Sequence, residues 1–134
     1  MNIQVGQKAR RSKTVTARDV ELYAEITGDR NPLHFDAAFA AGTRFGRLVA
    51  QGGITSGMLN ALVAMDLPGP GTVFMSQSLK YLAPTYLGDT LTAEVEVLAV
   101  KPDKPVCQLK ATITNQDGTV VLEGECWTYT LRPA

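Results

Sequence analysis

His34 is the only histidine in the chain, and Asp29 precedes it in the segment Asp29-Arg30-Asn31-Pro32-Leu33-His34. An imidazole moves a proton near neutral pH, and a carboxylate accepts one or orients an attacking water, so the two on one rigid segment form an acid–base set. No serine or cysteine nucleophile is needed for such chemistry. Taken singly, each residue has a plainer account: a lone histidine is commonly structural, and an aspartate before Asn-Pro commonly just stabilises a turn. It is the pairing that points to catalysis. Asn31 can brace the segment through side-chain bonds to the backbone, and Pro32 restricts its shape.

A second element is Gln51-Gly52-Gly53, at or just inside the first turn of an apolar helix. The first amides of a helix lack internal partners and carry partial positive charge, and glycine lets a ligand approach them closely. A carbonyl oxygen placed there would be stabilised as negative charge developed on it. The competing account of the glycines is tight helix packing, and spacing alone does not separate the two. Further along the helix, Asn60 either shapes a pocket or satisfies a buried backbone group.

The elements that must position these groups are visible in the periodicity. Lys8, Arg10, Arg11 and Lys13 mark a charged opening strand of the kind found at a sheet edge. Thr16 as N-cap, Asp19 at the capping-box position and Val20, Tyr23, Ala24 and Thr27 at helical spacing predict a helix that Gly28 ends. Pro32 cannot continue it, so the Asp29 to His34 segment is expected to be a rigid loop. Asp36 caps a short helix over 37–41, closed by Gly42. From Gly52 to Leu67 apolar residues cover most of the helix circumference, which predicts a buried central helix, stopped by Pro68-Gly69-Pro70-Gly71. From Thr72 the period drops to two. Leu91, Ala93, Val95 and Val97, and then Cys107, Leu109, Ala111 and Ile113, form the apolar faces of two of four consecutive strands, with turns at Pro102-Asp103-Lys104-Pro105 and Asn115-Gln116-Asp117-Gly118. Helices followed by consecutive antiparallel strands give an α+β class, a sheet wrapped around the central apolar helix.

The 134 residues fit one domain, 1–134, able to bury roughly 65–70% of its unfolded surface. Thirteen basic residues cancel thirteen acidic ones, so no global field draws the chain to nucleic acid or to an anionic membrane, and an anionic ligand must be held locally. Cys107 and Cys126 lack zinc or redox spacing and read as buried, reduced thiols. The amino-terminal residues do not resemble a signal peptide and no run is long enough to span a membrane, which predicts a cytoplasmic, soluble protein.

The segment Tyr23-Ala24-Glu25-Ile26-Thr27-Gly28-Asp29-Arg30-Asn31-Pro32-Leu33-His34, continuing to Ala40, resembles the signature of MaoC-like (R)-specific enoyl-CoA hydratases. The likeness runs on through Phe45-Gly46-Arg47, the central helix, Gln77-Ser78-Leu79 and Gly88-Asp89-Thr90-Leu91 to Lys104-Pro105, nearly the whole chain. Within that family it resembles the short polyhydroxyalkanoate-linked hydratases. The resemblance implies a hot-dog fold, a homodimer with sites near the subunit interface, an acyl-CoA thioester substrate, fatty acid metabolism, and no metal or redox cofactor. Carried over by position, the catalytic groups are Asp29, His34 and the amide of Gly52. Asn31, Gln51, Gly53 and Asn60 are the positions expected to contact substrate. The family often has His-Gly where this chain has Gln51-Gly52, so substrate preference at that point is not carried over.

Two other functions fit the same fold. A hot-dog thioesterase would hydrolyse a similar ligand, but thioesterases of this fold typically lack the paired Asp–His motif. A non-catalytic acyl-CoA-binding module would show no turnover at all.

Overall fold

The computed structural model describes residues 2–132. Its strands are β1 (Lys8–Thr14), β2 (Thr72–Tyr81), β3 (Thr90–Val100), β4 (Val106–Thr114) and β5 (Val120–Thr130), and its helices are α1 (Ala17–Thr27), α2 (Pro32–Phe35), α3 (Ala37–Ala41) and α4 (Gly52–Ala61). The five strands make one sheet in the order β1-β3-β4-β5-β2, antiparallel at every pairing. All the helices thus precede four consecutive strands, of which β3, β4 and β5 form a meander and β2 pairs with β5, as the change of period at Thr72 predicts.

Alternation decides which face of the sheet is inside. Leu91, Ala93, Val95 and Val97 on β3 and Cys107, Leu109, Ala111 and Ile113 on β4 are fully buried and form one core with Met58, Leu59, Leu62 and Val63 of the central helix. Register shifts at Phe74/Ser76, Val97/Ala99 and Ile113/Thr114 are the irregularities that let a sheet curve round a helix. β1 lies at one edge with its charged side chains exposed, and β2 lies at the other.

The central helix differs from expectation in two ways. After Ala61 it widens into a π-helical turn over Leu62–Asp66, closed by the Leu67 amide donating to the Leu62 carbonyl at 2.9 Å. It is also buried on one side only: Met65 is 59% exposed, and Asn60 is exposed too. Leu67 follows the π turn in extended backbone and is buried in the core, so the apolar pattern read as one all-round helix covers an α-helix, a π turn and a buried residue beyond both.

α1 forms as its caps predict. The Asp19 amide donates to Thr16 Oγ1 at 3.2 Å and the Thr16 amide to Asp19 Oδ2 at 2.9 Å. Burial by itself would raise the Asp19 carboxyl, but the Thr16 bonds and the Lys13 ammonium outweigh it and hold it below its ordinary value. Gly28 ends the helix in the left-handed region, φ 82°, with its amide on the Ala24 carbonyl.

Cys107 and Cys126 are free and buried. Burial, reinforced by the neighbouring Cys107, pushes the Cys126 thiol up to about 12, and burial raises Cys107 as well. At pH 8 the Cys126 thiolate fraction is then about one part in ten thousand. A disulfide-exchange reagent is expected to find no reactive thiol in the native protein and two after unfolding in guanidinium; fast labelling of native protein would mean that the β4–β5 core opens.

Candidate active site

The turn that follows Gly28 is built from short side-chain bonds to backbone. Asp29 Oδ1 accepts from the Asn31 amide at 3.2 Å, and Asn31 Oδ1 accepts from the Leu33 amide at 3.1 Å. Asn31 is thereby the N-cap of α2, with Pro32 at its first position. This corrects the expectation of a loop through His34. Gly28 has already ended α1; proline has no amide to donate, but at the first position of a helix that amide is unpaired anyway and the fixed φ favours a new start. His34 therefore sits on a one-turn helix.

That placement buries the imidazole, which is 8% exposed. Its Nδ1 lies 2.7 Å from the Val49 carbonyl; a carbonyl only accepts, so Nδ1 carries the hydrogen and Nε2 is left to face the site. Nε2 is 3.6 Å from Asp29 Oδ2, too long for a direct hydrogen bond and a separation at which a water can serve both groups. The Asp29 side chain is 41% exposed, so the pair has one buried, fixed member and one that reaches solvent.

Val49 is held in turn from two sides. Its amide donates to the Leu33 carbonyl at 3.1 Å, and the next amide, Ala50, donates to the Thr85 carbonyl at 2.7 Å. Val49 also bridges to Tyr86, whose amide is fixed by buried Asp89 Oδ2 at 2.9 Å. Asp89, far from His34 in sequence, thus holds the segment to which Val49 bridges.

A cavity of about 350 Å³ opens beside His34, lined in part by Leu33, Arg44, Gly52, Thr55, Tyr81 and Val121. Gly52 is the first residue of α4, and Gln51 supplies no side-chain cap, so the leading amides are left for a ligand. A Cβ at Gly52 would come within 2.9 Å of the half-exposed Tyr81 ring, which would have to shift to admit it. The Thr55 hydroxyl donates to the Gly52 carbonyl and steadies this first turn.

The structure thus sets Asp29 beside His34 and brings His34 and Gly52 to one cavity, whose lining does not include Asp29, and it treats the expected substrate contacts differently. Asn31 spends its side-chain oxygen capping α2. A Cβ on Gly53 would collide with the Tyr23 hydroxyl, so that glycine serves the close approach of α1 to α4. Gln51 is 1% exposed and lies outside the cavity lining. Asn60 is exposed on α4 and also outside it, which removes the account of it as partner to a buried backbone group. Sequence reasoning missed Val49, whose contribution is a backbone carbonyl and leaves no mark on residue type. It also missed Thr55, which its place one turn after Gly52 could have flagged. Among the described residues no cluster of three or more His, Cys, Asp and Glu is placed to hold a metal ion, and no helix is long and apolar enough to cross a membrane.

The MaoC like domain family matches residues 2–121. The chain belongs to this family. It is 42% identical over 92% of its length, and 92% of the relative's, to the (R)-specific enoyl-CoA hydratase of Aeromonas caviae. The solved structure of an (R)-hydratase from A. caviae involved in PHA biosynthesis superposes with a TM-score of 0.93 at 40% identity, covering 97% of this chain and 98% of that one. The R-hydratase PhaJ1 from Pseudomonas aeruginosa, unliganded, gives 0.91 at 39% identity over 98% of this chain and 84% of that one. The sheet around α4 is thus the hot-dog fold of MaoC-like hydratases, as the sequence resemblance implies.

Proposed function

We propose that this MaoC-like protein hydrates trans-2-enoyl-CoA thioesters to (R)-3-hydroxyacyl-CoA, and runs the reverse dehydration. The observation that carries this reading is the 3.6 Å gap between His34 Nε2 and Asp29 Oδ2, with the imidazole pinned on Val49 and the Gly52 end of α4 beside it in one cavity. The likeness to hydratases named (R)-specific supplies the hand of the product and the coenzyme A carrier.

The chemistry follows from the placement. A thioester oxygen on the Gly52 amide draws electrons from the conjugated double bond, leaving its third carbon open to attack. The water held between Asp29 and His34 gives its oxygen to that carbon and a proton to the pair. The π electrons move onto the thioester oxygen as an enolate, and the enolate collapses as the second carbon takes a proton from the same pair. Water is added whole, and no bond to sulfur breaks. Crotonyl-coenzyme A is therefore expected to lose its conjugated absorbance without release of free thiol. Thiol release at the rate of absorbance loss would make the protein a thioesterase, and no change in either would leave a binding module.

The working form is a homodimer. β2 is a ten-residue edge strand with Val73, Met75 and Tyr81 each about half exposed, and its sequence contains no proline and a single lysine to deter pairing. A second copy adding strand to strand would cover this edge, and Tyr81, which lines the cavity, would bring the site close to the seam. Light scattering at micromolar concentration is expected to give twice the 14.4 kDa chain mass; a monomer that still turned over substrate would contradict it. The absence of a global charge imbalance fits a small-molecule thioester better than nucleic acid, and a cytoplasmic location fits this substrate.

A further inference from the structure

Gln51 is among the largest fully buried side chains in the molecule, an unusual place for an amide. Its Nε2 donates to the Val20 carbonyl at 3.1 Å and to the Asp29 carbonyl at 3.4 Å. Its Oε1 is buried with no hydrogen-bond partner among the described residues. The amide cannot be turned over, because Oε1 would then face two carbonyl oxygens. What the side chain contributes is therefore its donor end, and the orphaned oxygen is what that contribution costs.

The three segments joined by this amide are those that must keep register for the reaction. Val20 lies in α1, Asp29 carries the carboxylate, and Gln51 itself is the N-cap of α4, one residue before the Gly52 amide. We infer that Gln51 is a positioning residue: it fixes the Asp29 main chain relative to the start of α4 and so sets the distance between the carboxylate and the thioester oxygen. This rests on the hydratase reading of the same site and replaces the expectation that Gln51 touches substrate. A residue acting in this way alters alignment in the transition state, where a displacement of about 1 Å costs as much as a hundredfold in rate, while leaving substrate affinity nearly untouched.

Two variants of nearly the same length test it with crotonyl-coenzyme A. Gln51→Met keeps the volume and removes both donors; it is expected to lower kcat about tenfold with KM within about twofold of the parent. Gln51→Glu places a carboxyl against two carbonyl oxygens. Ionised, it repels them, and protonated, it donates to one, so the ratio of its kcat to the parent's is expected to rise as pH falls, a dependence that loss of packing would not create. Parental kcat in folded Gln51→Met, a loss lying wholly in KM, or a ratio flat with pH would each overturn the assignment. Should circular dichroism show that Gln51→Met does not fold, the pH dependence of Gln51→Glu decides alone. A parent protein without hydration refutes the acid–base reading itself, whereas a parent that works and a Gln51→Met that works equally well refute only the role of Gln51.

Discussion

Asp29→Asn and His34→Ala are each expected to lower hydration of crotonyl-coenzyme A by at least about a hundredfold, the usual scale for loss of a general acid or base. The double variant should be little worse than the poorer single one. In the proposed mechanism both groups hold one water across the 3.6 Å gap, so removing either empties the same position and the second loss has little left to remove. Fully multiplicative losses would show that the two residues work in separate steps. Folding is expected to survive in both. Asp29 keeps its Oδ1 bond to the Asn31 amide when the other oxygen becomes an amide nitrogen, and its side chain is partly exposed. His34→Ala is the harsher change, because it leaves the Val49 carbonyl unpaired, at about 1–3 kcal/mol. That is below the roughly 5–15 kcal/mol typical of a domain, so circular dichroism should still show a folded chain with a lower Tm. Near-normal turnover by either folded variant would remove the catalytic assignment.

How much of this was legible in the residues depended on whether the signal was local. The capping box at Thr16 and Asp19, the stop at Gly28 and the alternation in β3 and β4 all depend on near neighbours, and each element formed where its pattern placed it. Pro32 bars any continuation of α1 on sequence alone, but its missing amide equally suits the first position of a new helix, and only the Asn31 cap shows that one starts there. The π turn after Ala61 has no periodic signature of its own, and Leu67 is buried although it lies beyond the helix in extended backbone. At the site, His34, Asp29 and Gly52 were visible as residue types. The carbonyl of Val49 was not, and neither was the inward turn of Gln51, since a polar residue at a helix entrance gives no hint of which way it faces until α1 is packed against it.

The stereochemistry of addition is a sharper consequence of the same geometry. Asp29 and His34 come from adjoining segments after α1, their side chains 3.6 Å apart, and the Gly52 end of α4 lines one cavity with His34. A planar enoyl thioester with its oxygen on the Gly52 amide therefore presents only one face to the acid–base pair. The water that attacks the third carbon and the proton delivered to the second both come from that face, so addition is syn. In deuterium oxide the product should carry one deuterium at the second carbon, on the side from which the hydroxyl entered, and chiral analysis should find the (R) alcohol, the hand named in its relatives. The reverse reaction must remove that same deuterium and keep the hydrogen beside it, because microscopic reversibility returns the proton by the path it came. Anti placement of deuterium would require a proton donor on the opposite face, where neither Asp29 nor His34 can reach, and would mean that the pair only activates the water. An (S) alcohol formed by syn addition would leave both roles intact and mean that the enoyl plane lies in the cavity the other way up.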